Sequence, residues 1–239
     1  MKVAICFPRY GDTKGEFTTS LARMLVHSLS AEIPGRPGER LQIEIFSIAS
    51  TDLVENRTIL LRRAMEWQAR YLLWLDVDHS FPRDALLRLM AHRLEVVGCN
   101  YLRRHEPFRP VAARTREDGQ WEHVWTTEDA ARRGLVEEVS HVGLGLCLID
   151  MLALLKVREH VEKGVGWANW GPFDRKLLPG TNMRMGEDAS FFAELRAAGV
   201  PVHVDHRLSW QVGHIGDRVL THKLAQAEAE ADIAARTRT

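Results

Sequence analysis

From residue 2 to residue 102 the chain alternates four short apolar runs with three stretches of helical periodicity, and this alternation restricts the fold most. Residues 2–7 (KVAICF) are β-branched and apolar and are bounded by Pro8, which suits a buried first strand. From Phe17 the apolar positions recur at Leu21, Met24, Leu25 and Leu29, one face of a helix that a Pro/Gly cluster at 33–38 ends. Residues 41–49 (LQIEIFSIA) alternate as a second strand. Asp52 and Glu55 then stand three apart, a capping-box-like start to a helix with Leu60, Ala64 and Trp67 inward. Residues 71–75 (YLLWL) read as a third strand, Pro82 opens a helix with Leu86, Leu87 and Met90, and residues 95–102 (EVVGCNYL) give a fourth strand. Strands alternating with helices predict an α/β fold: a Rossmann-like wound, mostly parallel sheet with helices on both faces.

The second half departs from that rhythm. Residues 105–140 hold short polar and aromatic stretches broken at Asp118-Gly119 and Gly134, which predicts a small hairpin or β-rich insert. An apolar strand follows at 141–151 (HVGLGLCLIDM). A helix is expected from Ala189 to Ala198, a short strand at 201–206 and a C-terminal surface helix over 217–239. No repeat or flexible linker divides residues 1–239.

Lys plus Arg and Asp plus Glu number 32 each, so the net charge is zero and a broad electrostatic grip on nucleic acid or an anionic membrane is not expected. No apolar run approaches a membrane span, and the N-terminus turns polar too soon for a signal peptide. Cys6, Cys99 and Cys147 are widely spaced in apolar surroundings and read as reduced core residues of a cytoplasmic protein.

Dinucleotide-binding GxGxxG, the Walker loop, the GxSxG elbow and CxxC pairs are all missing. What remains is Asp76-Val77-Asp78 directly after the third strand. In extended chain, residues two apart share a face, so both carboxylates can converge at the C-terminal end of a strand, where open α/β sheets bind ligands. Paired carboxylates suit Mg²⁺ or Mn²⁺; the same acids also suit a turn capping the next helix. Gly186-Glu187-Asp188 opens the Phe191 helix and reads either as first-turn acids meeting the helix dipole or as a general base. His214 lies between Gly213 and Gly216, in a loop that either approaches a ligand or is merely tight. A long loop, residues 164–186, carries Trp167 and Trp170, whose rings suit sugars or simply bury the loop.

In this order (strand and D-x-D, apolar strand GLGLCLID, aromatic loop, GED at a helix start, late VGHIG) the sequence resembles glycosyltransferases of the GT-A fold, near the family 2 type. The resemblance runs from Lys2 to Gly216. It implies a single catalytic domain with a nucleotide-binding half (1–104), an acceptor half (105–216) and a C-terminal helix (217–239). It further implies a divalent cation, Mn²⁺ or Mg²⁺, and a UDP- or GDP-sugar donor whose sugar passes to a hydroxyl acceptor, with inversion. Asp76 and Asp78 match the D-x-D that binds the cation and the donor, and His214 matches a further metal ligand of some members. Asp188 matches the general base, with Glu187 orienting the acceptor. Pro8, Asp52 and Arg57 fall where similar proteins line the nucleotide pocket. Arg103 and Arg104 are candidates for diphosphate contacts, or a solvated basic loop. The acceptor is expected against Trp167 and Trp170. The first-strand loop, FPRYGDTKGE, departs from the family's usual pattern and leaves base contacts open. A nucleotidyltransferase is the first rival, although CFPRYGDTKG is a poor triphosphate loop. A non-catalytic sugar-nucleotide or glycan-binding protein is the second; a metal-dependent nuclease or phosphatase, without a basic surface, is more distant.

Overall fold

A computed structural model describes residues 1–104, 106–178 and 180–236 of the chain. β1 (Lys2–Arg9) leads into α1 (Gly15–Ser30), β2 (Gln42–Ala49), α2 (Leu53–Glu66), β3 (Tyr71–Leu75), β4 (His79–Ser80), α3 (Ala85–Ala91) and β5 (Val96–Gly98). Then come β6 (Ala113–Thr115), β7 (Trp121–His123), α4 (Glu128–Arg133), β8 (Val136–Val139), β9 (Leu146–Asp150) and α5 (Ala153–Glu162). A 3₁₀ turn (Trp167–Asn169), α6 (Glu187–Ala197), β10 (Val202–Asp205), α7 (His206–Ser209), β11 (Gly213–Ile215), β12 (Val219–Leu220) and α8 (His222–Arg236) complete it.

The central sheet has seven strands in the order β2-β1-β3-β9-β5-β10-β8. β1 is parallel to β2 and β3, and β10 is parallel to β5, while β9 runs against both β3 and β5 and β8 against β10. The α/β class with a mostly parallel sheet is therefore what the chain adopts, with β9 and β8 as its reversed strands. Because β9 comes from the second half and sits between two strands of the first, the two halves share one sheet.

Strand periodicity sorts the core into two layers. Ala4, Cys6, Leu72 and Trp74 face α2, α5 and α6, and Val3, Ile5, Leu73 and Leu75 face α1 and α3. Both faces of β3 are buried along its whole length, which is why it reads as an unbroken apolar run. All three cysteines are buried and free.

Several local expectations are corrected. Pro8 lies within β1, opposite Ile48, and not in the loop beyond it. β1 pairs with β3 only through Val3–Cys6, so on that side the missing N–H of Pro8 leaves no ladder bond unmade. On α1 the buried stripe is Phe17, Ser20, Met24 and Ser28, with Leu21 and Leu25 partly buried at its margin and Leu29 half exposed. The insert does contain a hairpin, β6–β7, turning at Gly119. Gly134, however, is the left-handed C-cap of α4, and β8 belongs to the main sheet. α5, with Leu154, Val157 and Val161 inward, is an additional helix. α8 begins at His222, since Val219–Leu220 pairs with β11; residues 237–239 of the expected tail lie outside the described residues.

Candidate active site

The C-terminal end of β3 gathers most of the singled-out side chains, and it does so through turns and not through extended chain. After Leu75 the backbone turns at Val77–Asp78, with the His79 amide donating to the Asp76 carbonyl at 3.3 Å. The two carboxylates therefore diverge instead of sharing a face. Asp76 turns to Arg57 of α2, whose Nη2 donates to Oδ1 at 2.9 Å. Asp78 turns to His79, His214 and Arg104.

β4 and β11 make the second carboxylate's surroundings. They pair antiparallel with His79 opposite His214, and the Ile215 amide donates to the Asp78 carbonyl at 2.7 Å. The two imidazoles stack with ring centroids 4.4 Å apart, and Tyr101 packs edge-on against His79 at 4.1 Å. His214 thus stands in a strand, not a loop. Gly213 is required there because a Cβ would fall 2.3 Å from Val219 and 2.7 Å from Ser80. Gly143 and Gly145 are required for a similar reason: a Cβ on Gly143 would lie 2.0 Å from the Tyr101 hydroxyl, and one on Gly145 would lie 2.6 Å from His79. The glycines of GLGL make room for the aromatic side of the site.

Asp78, His79 and His214 offer three ligand atoms within 4.8 Å of one another. His214 Nδ1 donates to the Leu102 carbonyl at 2.7 Å, so in a neutral ring Nε2 carries a lone pair, and it faces Asp78 Oδ2 at 3.4 Å. Two lone pairs pointed at each other require a proton or a cation between them. His79 is fully buried, and neither ring nitrogen has a hydrogen-bond partner, although Nδ1 is 3.1 Å from Asp78 Oδ1. These residues fit a divalent metal. One carboxylate with two imidazoles suits Mn²⁺ better than Mg²⁺, which prefers oxygen. Burial, the largest influence, pushes the Asp78 carboxyl up, but His214 and His79 together hold it well below the usual carboxylate range, so it is ionised and ready to ligate.

Arg57 joins this end of β3 to α6. It is buried, lies over the Trp74 ring, and its Nε is 3.8 Å from Glu187. Burial opposes its charge most strongly, yet Asp76, Glu187 and Asp188 more than compensate and raise its pKa. Its Nη1 and Nε have no hydrogen-bond partner among the described residues. Among the described residues Asp188, in the first turn of α6, accepts only a local bond, from the Ala189 amide at 2.7 Å. Burial first and then the Glu187 carboxylate push it up to about 6, against the pull of that amide and of Arg57. A carboxyl that titrates near neutrality and is not fixed by a cation is suited to accept a proton.

The remaining expected residues separate. Arg104 reaches Asp78 at 3.0 Å and lines a cavity of about 430 Å³ beside His214. Arg103 instead lends its charge to His123 and His141 on the insert side. Asp52 caps α2, accepting the Glu55 amide at 3.0 Å. Trp167 and Trp170 stack on each other at 4.6 Å, but Trp170 is core and Trp167 lines a cavity with Ala69, Arg70 and Met151. That is the N-terminal end of β3, so the two rings are not brought to the site; their apolar faces bury the 164–186 loop against α5. His79 and Tyr101 are the residues that sequence reading passed over. The signal for His79 was its place directly after the D-x-D.

No protein-family model matches the chain, and no curated protein matches it. Among solved structures it is similar to A197 from STIV, with a TM-score of 0.56 and 17% identity over 93% of this chain and 91% of that one. The likeness is one of fold. A slighter one, TM-score 0.49 at 11% identity, is to GalNAc-T7 solved with UDP, GalNAc and Mn²⁺; it covers 90% of this chain and 44% of that one.

Proposed function

We propose that the chain is a metal-dependent glycosyltransferase of GT-A type that moves a sugar from a UDP- or GDP-sugar to a hydroxyl acceptor with inversion. The observation that carries this reading is the Asp78–His79–His214 cluster at the C-terminal end of β3, tied through Asp76 and Arg57 to the acids that open α6. Asp78, His214 and His79 would hold Mn²⁺, which as a Lewis acid would neutralise charge on the departing diphosphate. Asp76 would meet the donor's ribose, and Arg104 its phosphates. The acceptor oxygen forms a bond to the anomeric carbon as the bond from that carbon to the phosphate oxygen breaks. The electron pair leaves with the nucleoside diphosphate, and the hydroxyl proton passes to Asp188. Asp188 does this above a pH of about 6, where it is ionised.

The test is a thermal-shift screen of UDP- and GDP-sugars with and without Mn²⁺, followed by assay of nucleoside diphosphate release. A metal-dependent rise in melting temperature for one donor class supports the reading, because only binding to the folded state raises it. The absence of any such rise across the donor panel would overturn it.

A further inference from the structure

Beside the acids of α6 lies a cavity of about 530 Å³ that no step above uses. Its floor is one stripe of α6, where Ala189, Ala193 and Ala197 recur every four residues and leave room by their small size. Trp121 of the β6–β7 hairpin walls the other side, its ring 4.5 Å from that of His141. Met185 and Ala189, which line the cavity, bracket Glu187 and Asp188 in the chain. From His141 the chain runs only four residues to Gly145, whose carbonyl accepts the Asp76 amide at 3.0 Å. The cavity is therefore joined to the candidate active site by two separate backbone segments, directly at Glu187 and Asp188 and through residues 142–144 on the other side.

Its chemistry is distinctive. Two cations, Lys176 and Arg196, line it, and among the described residues no carboxylate does. Lys176 is neutralised by Glu194, whereas Arg196 makes no ion pair among the described residues and is exposed. His141 adds no charge of its own at neutral pH: burial first, then Arg196, His123 and Arg103, lower its pKa to about 4. The lining therefore carries one uncompensated positive charge beside an indole face, with the hydroxyls of Thr115 and Ser140 as further polar groups.

We propose that this cavity is the acceptor subsite and that it takes a saccharide bearing an acidic group, the ring lying on Trp121 and the acid against Arg196. The assignment rests on the glycosyltransferase reading for the word acceptor, but not for the binding itself. Indole faces suit the C–H faces of sugar rings, and a guanidinium can hold a carboxylate or phosphate with two parallel bonds. A uronic acid and a sugar phosphate share this chemistry, and the experiment separates them.

Binding to the full chain, with UDP and Mn²⁺ present, is read by saturation-transfer NMR using methyl β-glucuronide, glucose 6-phosphate and neutral methyl β-glucoside. At least one acidic probe should bind ten-fold or more tightly than the neutral one. Arg196→Gln should erase that difference while leaving the neutral probe's affinity unchanged, and Trp121→Phe should retain part of the affinity that Trp121→Ala loses. Which acidic probe binds names carboxylate or phosphate as the group recognised. Equal binding of acidic and neutral probes, equal weakening of both by Arg196→Gln, or no binding of any probe would overturn the proposal. Nucleotide binding is measured separately. If saccharides bind as expected while UDP with Mn²⁺ does not, the donor reading fails and the saccharide site stands.

Discussion

The guanidinium of Arg57 lies 2.9 Å from the carboxylate of Asp76 while its Nε faces Glu187 at 3.8 Å, so a single buried side chain couples the end of β3 to the start of α6. Neither segment alone fixes the distance between these two carboxylates. The arginine does so by being common to both. Removing it leaves Asp76 without an ion-pair partner among the described residues and Glu187 with only Arg175, at 3.8 Å. Arg57→Ala should cost about 3 kcal/mol, the lower end for a broken buried pair, since Asp76 retains some access to water. Urea unfolding measures it. Arg57→Lys should recover only part, because a point charge cannot serve two directions as the planar fork does. A near-neutral Arg57→Ala would mean that the pairings are incidental.

Mn²⁺ should bind the protein more tightly than Mg²⁺, given two imidazoles beside Asp78. His214→Ala and His79→Ala should each weaken Mn²⁺ binding by about ten-fold or more while changing Mg²⁺ binding little. Asp78→Ala should abolish both. Calorimetry on the protein alone, with no donor present, reads this directly. UDP binding that is undiminished in EDTA would contradict the metal's role in holding the diphosphate.

Asp188→Asn should lower transfer by about a hundred-fold or more and leave donor binding intact. With the native protein the rate of transfer should rise with pH through about 6. Stability should move the other way. A carboxyl whose folded pKa is raised favours folding below its unfolded pKa and loses that contribution as pH rises through about 6. Asp188→Asn should therefore raise the melting temperature at pH 8 and not at pH 4. A loss of transfer with Glu187→Gln and none with Asp188→Asn would move the base by one residue.

Gly143→Ala tests whether the glycines of 143–145 are steric necessities. A Cβ 2.0 Å from the Tyr101 hydroxyl must displace that ring, which packs on both His79 and His214. The expected cost is about 1–3 kcal/mol, the usual range for overpacking, with weakened Mn²⁺ binding as a second readout. Gly180→Ala, with open space around its Cβ, controls for mutation in general, although its positive φ of 74° carries a backbone cost.

The β1 and β3 strands were legible because both of their faces are buried, so composition alone marks them. The capping of α2 by Asp52 was legible because the cap is local in sequence. The site was legible in position but not in arrangement. A D-x-D read as extended chain places its carboxylates together, and a turn at Val77–Asp78 parts them. His79 escaped notice because only its pairing with His214, 135 positions along the chain, gives it a role. Trp167 and Trp170 drew attention as rings in a long loop, yet the end of the sheet on which a loop packs is not written in its composition. Trp121, in a short polar hairpin, carried no such signal.

The last expectation concerns acid stability and the two buried histidines, His141 and His222, which are 7% and 3% exposed. Burial is the main cause in both cases and lowers each to about 4. For His141 the nearby charges of Arg196, His123 and Arg103 add to it; for His222 a bond with Asn100 opposes it. Above the ordinary imidazole value of 6.5 neither ring is charged, folded or unfolded, and neither affects stability. As pH falls below that, the unfolded chain takes up the proton first, so the folded state loses stability until about pH 4. At 1.36 kcal/mol per unit, each histidine accounts for about 3 kcal/mol lost across that window. Carboxylates held low, such as Asp205 beside His92, lose their contribution only below the ordinary aspartate range, so the two windows separate. Asp188 works in the opposite sense between about 6 and 3.8, and for that reason the comparison is made between variants and not read from one curve. His222→Gln is the cleaner variant, because Nε2 of that ring has no hydrogen-bond partner and the one bond at stake is to the Asn100 backbone. Denaturant unfolding at pH 7 and pH 4.5 should show the drop in stability shrinking by about 2 kcal/mol in His222→Gln, somewhat less than the full window gives. An unchanged drop would mean that the ring is already protonated within the fold.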